Sequence, residues 1–216
     1  MNAGPQKTKS TAAAATPPTI YVVDDDASVR RSMARLLKTH GFHAETLACA
    51  EDFLALGHYA SPGCLVLDVR MPGLNGLELQ DRMAALGLSL PIVFITGHGD
   101  VPMSVKAMKA GAVDFLPKPF SSKELLSAVH RAVARHRNET ALATEVAGIK
   151  RCLSTLTPRE LEVLGLVVRG KMNKEIAADL SLSIKTVKVH RGRVMKKMEA
   201  VSLAELVRMA GTVGIS

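Results

Sequence analysis

Residues 20–26 have the sequence Ile-Tyr-Val-Val-Asp-Asp-Asp, in which four apolar side chains are followed at once by three carboxylates. An apolar run without alternation predicts a β-strand that is buried on both faces of a sheet. Further apolar runs follow at residues 64–67, 92–95 and 113–116, and a weaker one lies at residues 42–47. Helical patterns begin near Ser28, Ala50, Leu74 and Val101 and directly after Phe120, where residues 121–124 form a capping box with Ser121 as the cap. This repeated strand–helix unit predicts an α/β fold, a five-stranded parallel sheet with helices on both faces.

Polar side chains stand at the carboxyl ends of four of the predicted strands. Asp24 and Asp25 follow the first strand, Asp68 ends the third, Thr96 ends the fourth and Lys118 follows the fifth. In a parallel sheet these ends share one edge, which is where ligands bind. Three carboxylates at one edge repel one another unless a hard cation such as Mg²⁺ lies among them. A lysine and a hydroxyl beside that cation would bind an anion, and the combination indicates phosphoryl-transfer chemistry.

Each of these acidic residues also has a simpler interpretation. An Asp at a strand end is commonly a helix cap, and the run Asp24–Asp26 could serve only the dipole of the next helix. Five polar residues at matching strand ends favour a shared site over separate caps. Asp26, one residue further along, is expected to belong to the helix start rather than to the site.

Length and charge predict two domains with different partners. The 216 residues suit two compact domains slightly better than one. Residues 19–120 carry 9 Lys and Arg and 11 Asp and Glu, whereas residues 151–216 carry 12 and 6. The basic second part is therefore expected to face nucleic acid or another polyanion. Only 3% of residues are aromatic, which disfavours stacking platforms for single-stranded nucleic acid. Three scattered Cys, short apolar runs and the lack of an apolar leader predict a cytoplasmic protein that contacts no membrane.

The basic second part is predicted to contain a helix-turn-helix. Helix starts are marked by capping boxes at residues 157–160 and 202–205, by Asn173 and by Ser183. The helix expected over 184–198 carries six cations and no acid, which favours DNA as its partner. The alternatives are a solvated cationic face and a membrane-surface helix, and the latter requires a bulkier apolar face. The predicted core stripe consists of Leu161, Val163, Leu164, Val167, Ile176, Ala177, Leu180, Val187, Val194, Met198 and Leu206.

The first part resembles the receiver domain of two-component response regulators. Residues 95–103, 107–112 and 118–120 are similar to the FixJ/StyR branch of the NarL/FixJ family. The resemblance implies a flavodoxin-like doubly wound sheet with strand order 2-1-3-4-5, in which a sensor histidine kinase phosphorylates Asp68. It implies Mg²⁺ binding by Asp24, Asp25, Asp68 and the backbone carbonyl of Arg70. It assigns phosphoryl binding and switching to Thr96, Phe115 and Lys118.

Nearly all of residues 154–212 resemble the LuxR-type output domain of the same family. The similar segments are residues 156–160, 173–177 and 186–190. The resemblance implies a four-helix domain that binds double-stranded promoter DNA, with RNA polymerase as a further partner. The predicted DNA contacts are Lys185, Lys188, Val189, His190, Arg191, Arg193, Lys196 and Lys197. In the receiver, Val105, Lys109 and Asp114 match a face through which the family forms homodimers on phosphorylation.

The predicted organisation is a disordered arm (1–18), a receiver (19–137), a helical linker (138–153) and a DNA-binding domain (154–216). The expected function is phosphorylation-dependent transcription regulation without enzymatic turnover. One rival is a Mg²⁺-dependent phosphohydrolase with an Asp nucleophile. It is disfavoured because Arg70, and not a second acid, stands two residues after Asp68. The other rival is a regulator that works without phosphorylation, which the complete acidic pocket disfavours.

Overall fold

The computed structural model of the chain describes residues 17–97 and 101–215. Most of the predicted arm, residues 1–16, lies outside the described residues. The chain divides after Thr140 into two compact units.

The first unit contains a five-stranded sheet. Its strands are β1 (Thr19–Val23), β2 (His43–Leu47), β3 (Gly63–Asp68), β4 (Ile92–Thr96) and β5 (Asp114–Pro117). All neighbouring strands are parallel, and their order is β2-β1-β3-β4-β5. The connecting helices are α1 (Ala27–Thr39), α2 (Ala50–Ala55), α3 (Gly76–Ala85) and α4 (Val101–Lys109), and β5 is followed by α5 (Ser122–Ser154). The predicted α/β doubly wound fold with strand order 2-1-3-4-5 is confirmed.

The burial of the strands accounts for the continuous apolar runs in their sequences. Strands β1, β3 and β4 are buried along their whole length, whereas the edge strand β2 is half exposed. Side chains of β1 alternate between two apolar clusters. Tyr21 and Val23 pack with Phe94 in one cluster, and Ile20 and Val22 pack in the other. The weaker apolar pattern of residues 42–47 reflects the edge position of β2, because an edge strand has a neighbouring strand on one side only and is more exposed to solvent.

Helix α3 begins later than the apolar pattern near Leu74 predicts. Asn75 caps the helix: its side chain accepts the Glu78 amide, and the Glu78 carboxylate accepts the Asn75 amide. The Gly76 amide donates to the carbonyl of Val69 at 3.0 Å, which keeps residues 69–75 as a tight loop. A Cβ at Gly76 would lie 2.4 Å from the Asp68 carbonyl oxygen. The loop after Asp68 therefore requires glycine at this position.

Helix α5 is the longest element of the described chain, with 33 residues. Its start has the capping geometry expected at Ser121, since the Glu124 carboxylate accepts the Ser121 amide at 2.7 Å. The predicted linker over 138–153 lies inside this helix. Residues on both sides of the division after Thr140 therefore belong to α5.

The second unit contains four further helices, α6 (Pro158–Val168), α7 (Asn173–Asp179), α8 (Ile184–Lys197) and α9 (Leu203–Thr212). Most of the predicted core stripe is buried, but Leu161 was assigned to the core wrongly and is 47% exposed. The buried face of α6 instead includes Glu160, Val163, Leu164 and Val167. Residues 161–168 are almost all apolar, so their periodicity does not show which side of the helix is buried.

Within residues 17–97 and 101–215, no helix is long and apolar enough to span a lipid bilayer.

Candidate functional site

The loop between β1 and α1 presents the first acidic residues. Asp24 is fully buried, and its Oδ1 accepts the Asp26 amide at 2.8 Å. Asp26 caps α1 by accepting the amides of Ser28 and Val29, and these hydrogen bonds lower the pKa of its carboxyl group. The expectation that Asp26 serves the helix start agrees with this geometry. Asp24 and Asp25 are left to face the edge of the sheet.

Lys118 joins two of the carboxylates. Its ammonium lies 2.8 Å from Oδ2 of Asp24 and 2.7 Å from Oδ2 of Asp68. Burial alone would lower the pKa of Lys118, but these two hydrogen bonds raise it above the usual lysine value. The Lys118 amide donates to the Thr96 carbonyl at 2.7 Å, which fixes the lysine against the end of β4. The peptide bond between Lys118 and Pro119 is cis.

Asp68 lies at the end of β3 and is almost fully buried. Burial raises the pKa of its carboxyl group, and the charge of Asp24 acts in the same direction. Hydrogen bonds from Lys118 and from the Arg70 amide, which lies 3.1 Å from Oδ1, oppose this shift. The carboxylate is therefore held by fixed donors in a site that disfavours its negative charge.

The three carboxylates suit a divalent cation. One oxygen from each of Asp24, Asp25 and Asp68 lies within 4.8 Å of the others. Carboxylate oxygens are the ligands that Mg²⁺ prefers, and two of the three groups are buried. Among residues 17–97 and 101–215, the Lys118 ammonium pairs with Asp24 and Asp68, so one ammonium opposes the three carboxylates of the cluster. The donor set therefore fits Mg²⁺, which receiver domains in general bind at such an acidic pocket.

The two remaining predicted pocket residues lie on β4 and β5. Thr96 is buried at the end of β4, where it pairs with Pro117 of β5. Phe115 pairs with Phe94, and their ring centroids are 6.1 Å apart. Phe94 and Thr96 are two residues apart on one strand, so their side chains share a face. Phe115 on β5 therefore packs beside Phe94, which lies on the same face of β4 as Thr96.

Two side chains that the sequence did not single out hold the loops of the site. The Arg30 guanidinium donates from Nη1 to the carbonyls of Asp24 at 2.6 Å and Asp25 at 2.9 Å. The Glu51 carboxylate accepts the Leu74 amide at 3.2 Å, in the loop after Asp68. Both interactions use backbone groups of the loops. Residue type in the loops carries no signal for such contacts.

The predicted dimer face has one member with an internal partner. Val105 and Lys109 are exposed on α4. Asp114 instead forms an ion pair with Arg131 of α5, and it also accepts the Phe115 amide at 2.9 Å. Asp114 therefore links β5 to α5 within the first unit.

In the second unit, α7 and α8 form the predicted helix-turn-helix. The Ser183 side chain caps α8 by accepting the Thr186 amide. Val187, Val194 and Met198 are buried and anchor α8 on the core. The opposite side carries exposed residues, namely Lys185, Lys188, Val189, Arg193 and Lys196.

The other three predicted contacts of α8 are half buried. Arg191 donates from Nη1 to Oδ1 of Asn173 at 2.9 Å, so the first residue of α7 orients it. Lys197 is paired with Glu160 of α6. The His190 ring has its Nδ1 buried without a hydrogen-bond partner among the described residues. Hence α8 presents five of its eight predicted contacts directly to solvent.

A doubly wound receiver with an acidic edge, followed by a helix-turn-helix, defines the class of phosphorylation-dependent transcription regulators. Residues 20–130 match the response regulator receiver domain family, and residues 154–210 match the family of bacterial regulatory proteins called luxR. The chain belongs to the NarL/FixJ family of response regulators.

Known relatives resemble the chain over nearly its whole length. Nodulation protein W of Bradyrhizobium diazoefficiens is 50% identical over 203 residues, which are 94% of this chain and 89% of that protein. The transcriptional regulatory protein FixJ of Rhizobium meliloti is 46% identical over 192 residues, which are 89% of this chain and 94% of FixJ. The solved structure of the response regulator StyR has 46% identity and a TM-score of 0.81, covering 90% of this chain and 98% of StyR. By their names, FixJ is a transcriptional regulatory protein and StyR is a response regulator.

Proposed function

We propose that a sensor histidine kinase transfers a phosphoryl group to Asp68. The P–N bond of the kinase phosphohistidine breaks, and a P–O bond to a carboxylate oxygen of Asp68 forms. The observation that carries this proposal is the ammonium of Lys118, 2.7 Å from Asp68 and 2.8 Å from Asp24. A cation fixed beside the acceptor lowers the electrostatic cost of bringing a phosphoryl dianion to an acidic pocket.

Mg²⁺ is the proposed cofactor, held by Asp24, Asp25, Asp68 and the backbone carbonyl of Arg70. When bound, the ion offsets the negative charge of the phosphoryl oxygens during transfer. The chain supplies the rest of the site. Arg30 keeps the carbonyls of Asp24 and Asp25 in place, and the Arg70 amide orients the Asp68 carboxylate.

Phosphorylation is proposed to act through Thr96 and Phe115. The hydroxyl of Thr96 and the ammonium of Lys118 bind the phosphoryl oxygens, and Phe115 moves inward as Thr96 is drawn towards them. The ring contact between Phe94 on β4 and Phe115 on β5 supports this coupling of the two strands. The face of α4 that bears Val105 and Lys109, with Asp114 of β5, then forms a homodimer.

The dimer is proposed to place two copies of α8 in successive major grooves of promoter DNA. Lys188 and Val189 reach base edges, whereas Lys185, Arg193 and Lys196 contact phosphates. The charge and exposure of this helix face support the assignment. Promoter-bound protein then acts on RNA polymerase in the cytoplasm.

The acceptor assignment is tested by Asp68→Asn. Labelling with ³²P acetyl phosphate in the presence of Mg²⁺ should be lost, while the urea unfolding midpoint of the variant stays close to that of the wild type. Asp26→Asn is the matched control, since Asp26 caps α1 and does not belong to the carboxylate cluster. Labelling of Asp68→Asn at the wild-type stoichiometry would assign the phosphoryl group elsewhere.

A further inference from the structure

Glu160 is a buried acid inside the DNA-binding unit. It lies in the first turn of α6 and is only 2% exposed. Its Oε2 accepts the Thr157 amide at 2.9 Å and the ammonium of Lys197 at 2.6 Å. Lys197 is in the last turn of α8 and donates a second hydrogen bond to the Thr155 carbonyl at 2.9 Å. The start of α6 and the end of α8 are thus joined by one charged pair.

The pair alters the electrostatic role of Lys197. A buried carboxylate without a partner is strongly destabilising, so Glu160 requires the lysine charge next to it. Hydrogen bonds from Lys197 and Thr157 lower the pKa of Glu160 to about 2, so the carboxylate stays ionised at neutral pH. The positive charge of Lys197 is therefore offset inside the protein. Two of the three ammonium hydrogens are also directed at internal acceptors.

The neighbouring cation, Lys196, has surroundings different from those of Lys197. Lys196 is exposed, whereas the side chain of Lys197 is only 33% exposed. Successive residues of a helix differ by about 100° in direction, so the two lysines face different surroundings. A lysine releases counterions from DNA when it brings net positive charge to a phosphate. Only a lysine without an internal counterion contributes fully in this way.

We infer that Glu160 and Lys197 are a positioning pair that fixes the end of the recognition helix α8 against α6, and that Lys197 adds no net charge to the DNA interface. The inference rests on the proposed DNA binding by α8. It removes Lys197 from the predicted phosphate contacts and leaves the exposed cations of α8 to make them. It also makes Glu160, which never faces DNA, a determinant of DNA affinity.

The test compares the double variant Glu160→Gln/Lys197→Met with Lys196→Met and Lys185→Met in the full-length chain, because removing Lys197 alone would leave the Glu160 carboxylate as an added negative charge beside α8. Each variant is titrated with a mixed-sequence 30-base-pair duplex at several salt concentrations, well below its unfolding temperature. Losing one phosphate contact lowers the slope of log K against log salt by about 0.9, and the two exposed lysines calibrate that loss. The double variant should keep the wild-type slope, because its net charge equals that of the wild type, and it should lower the affinity by about tenfold at every salt concentration because the end of α8 is no longer fixed.

Two outcomes would overturn the inference. A slope reduced as in the calibrating variants would make Lys197 a phosphate contact, and a line that coincides with the wild type would remove its positioning role. A wild-type chain that shows no salt-dependent binding contradicts the proposed function instead. In that case the pair is still tested without DNA, by thermal unfolding of Glu160→Gln, Lys197→Met and the double variant. The double variant should be more stable than Lys197→Met, because it buries no unpaired charge; additive losses would contradict the pairing.

Discussion

Two basic side chains organise the acidic pocket, and only one of them is recognisable in the sequence. Lys118 follows a strand directly, so the rule that parallel strands end at one edge predicts its position. Arg30 lies six residues after Asp24 on the first turn of α1, and it binds the carbonyls of Asp24 and Asp25. Every residue has a carbonyl, so no side-chain pattern marks this contact. Glu51 escapes prediction for the same reason, because its partner is the Leu74 amide.

Arg30→Met should loosen the loop between β1 and α1. The variant keeps the apolar stem of the side chain but loses both hydrogen bonds to the loop. Amide exchange at Asp26, whose N–H donates to Asp24 at 2.8 Å, should accelerate by about tenfold, because a charge-assisted hydrogen bond contributes roughly 1.5 kcal/mol or more. Exchange measured by NMR checks this, with Arg31→Met as the control at the next, exposed position. Equal exchange rates in the two variants would show that Arg30 does not hold the loop.

The stability of the second unit should depend on the ionisation of Glu160. Its pKa is about 2 in the folded chain against 4.5 for an ordinary glutamate. A lowered acid pKa contributes stability above pH 4.5, and this contribution is lost as the pH falls towards 2. Glu160→Gln should therefore unfold at lower urea concentration than the wild type at pH 6, and the difference should shrink as the pH approaches 2. A difference that does not change with pH would mean that the carboxylate charge is not responsible.

Helix boundaries show where local patterns fail. The capping boxes at Thr157 and Ser121 were predicted from side chains three residues apart, and both are present. The apolar side chain of Leu74 fits a helical pattern and predicts a start of α3 near this residue, but Glu51 holds the Leu74 backbone in a loop and the helix begins at Gly76. The sequence predicts a helical linker over 138–153, and in the structure these residues belong to α5. Capping is local chemistry and is visible in sequence, whereas loop geometry depends on contacts made elsewhere in the chain.

Glycines in two helices should respond oppositely to alanine. Nothing lies within 4 Å of a Cβ built at Gly192 of α8, so Gly192→Ala should stabilise the second unit by about 0.5–1 kcal/mol through helix propensity. At Gly76 a Cβ would lie 2.4 Å from the Asp68 carbonyl oxygen, so Gly76→Ala should destabilise the first unit and slow phosphorylation of Asp68. Urea unfolding and acetyl phosphate labelling distinguish the two. Stabilisation by Gly76→Ala would mean that the loop after Asp68 can shift freely.

The whole chain separates two chemistries between two units. Residues 19–120 carry 11 acidic against 9 basic residues and gather three carboxylates, whereas residues 151–216 carry twice as many basic as acidic residues. The charge separation follows from residue counts and the edge position of the acidic residues from the topology of a parallel sheet, whereas the strand order follows from the resemblance to receiver domains. The internal pairs of Asp114 with Arg131 and Lys197 with Glu160 were missed. Such pairs join residues far apart in sequence, and charge patterns along one helix do not reveal them.

Dimerisation is the property of the whole molecule that the exposed face of α4 predicts. Val101, Val105 and Met108 are apolar side chains that α4 exposes, and Lys109 lies beside them. Exposed apolar side chains grouped on one helix favour contact with a partner surface. Beryllofluoride, which mimics the phosphoryl group on Asp68, should convert the wild-type chain from monomer to dimer in sedimentation velocity.

Lys109→Glu should weaken this dimer without affecting the pocket, because α4 would then carry a negative charge where the two copies meet. The variant should sediment as a monomer at concentrations where the wild type with beryllofluoride is dimeric. Its labelling by acetyl phosphate should equal that of the wild type, since Lys109 does not belong to the carboxylate cluster. Lys123→Glu on α5 makes the same charge change at another exposed lysine, and it should leave both properties intact.

Equal monomer fractions with and without beryllofluoride across a wide range of wild-type concentrations would contradict phosphorylation-driven dimerisation. Equal weakening by Lys109→Glu and Lys123→Glu would attribute the effect to net charge and not to the face of α4.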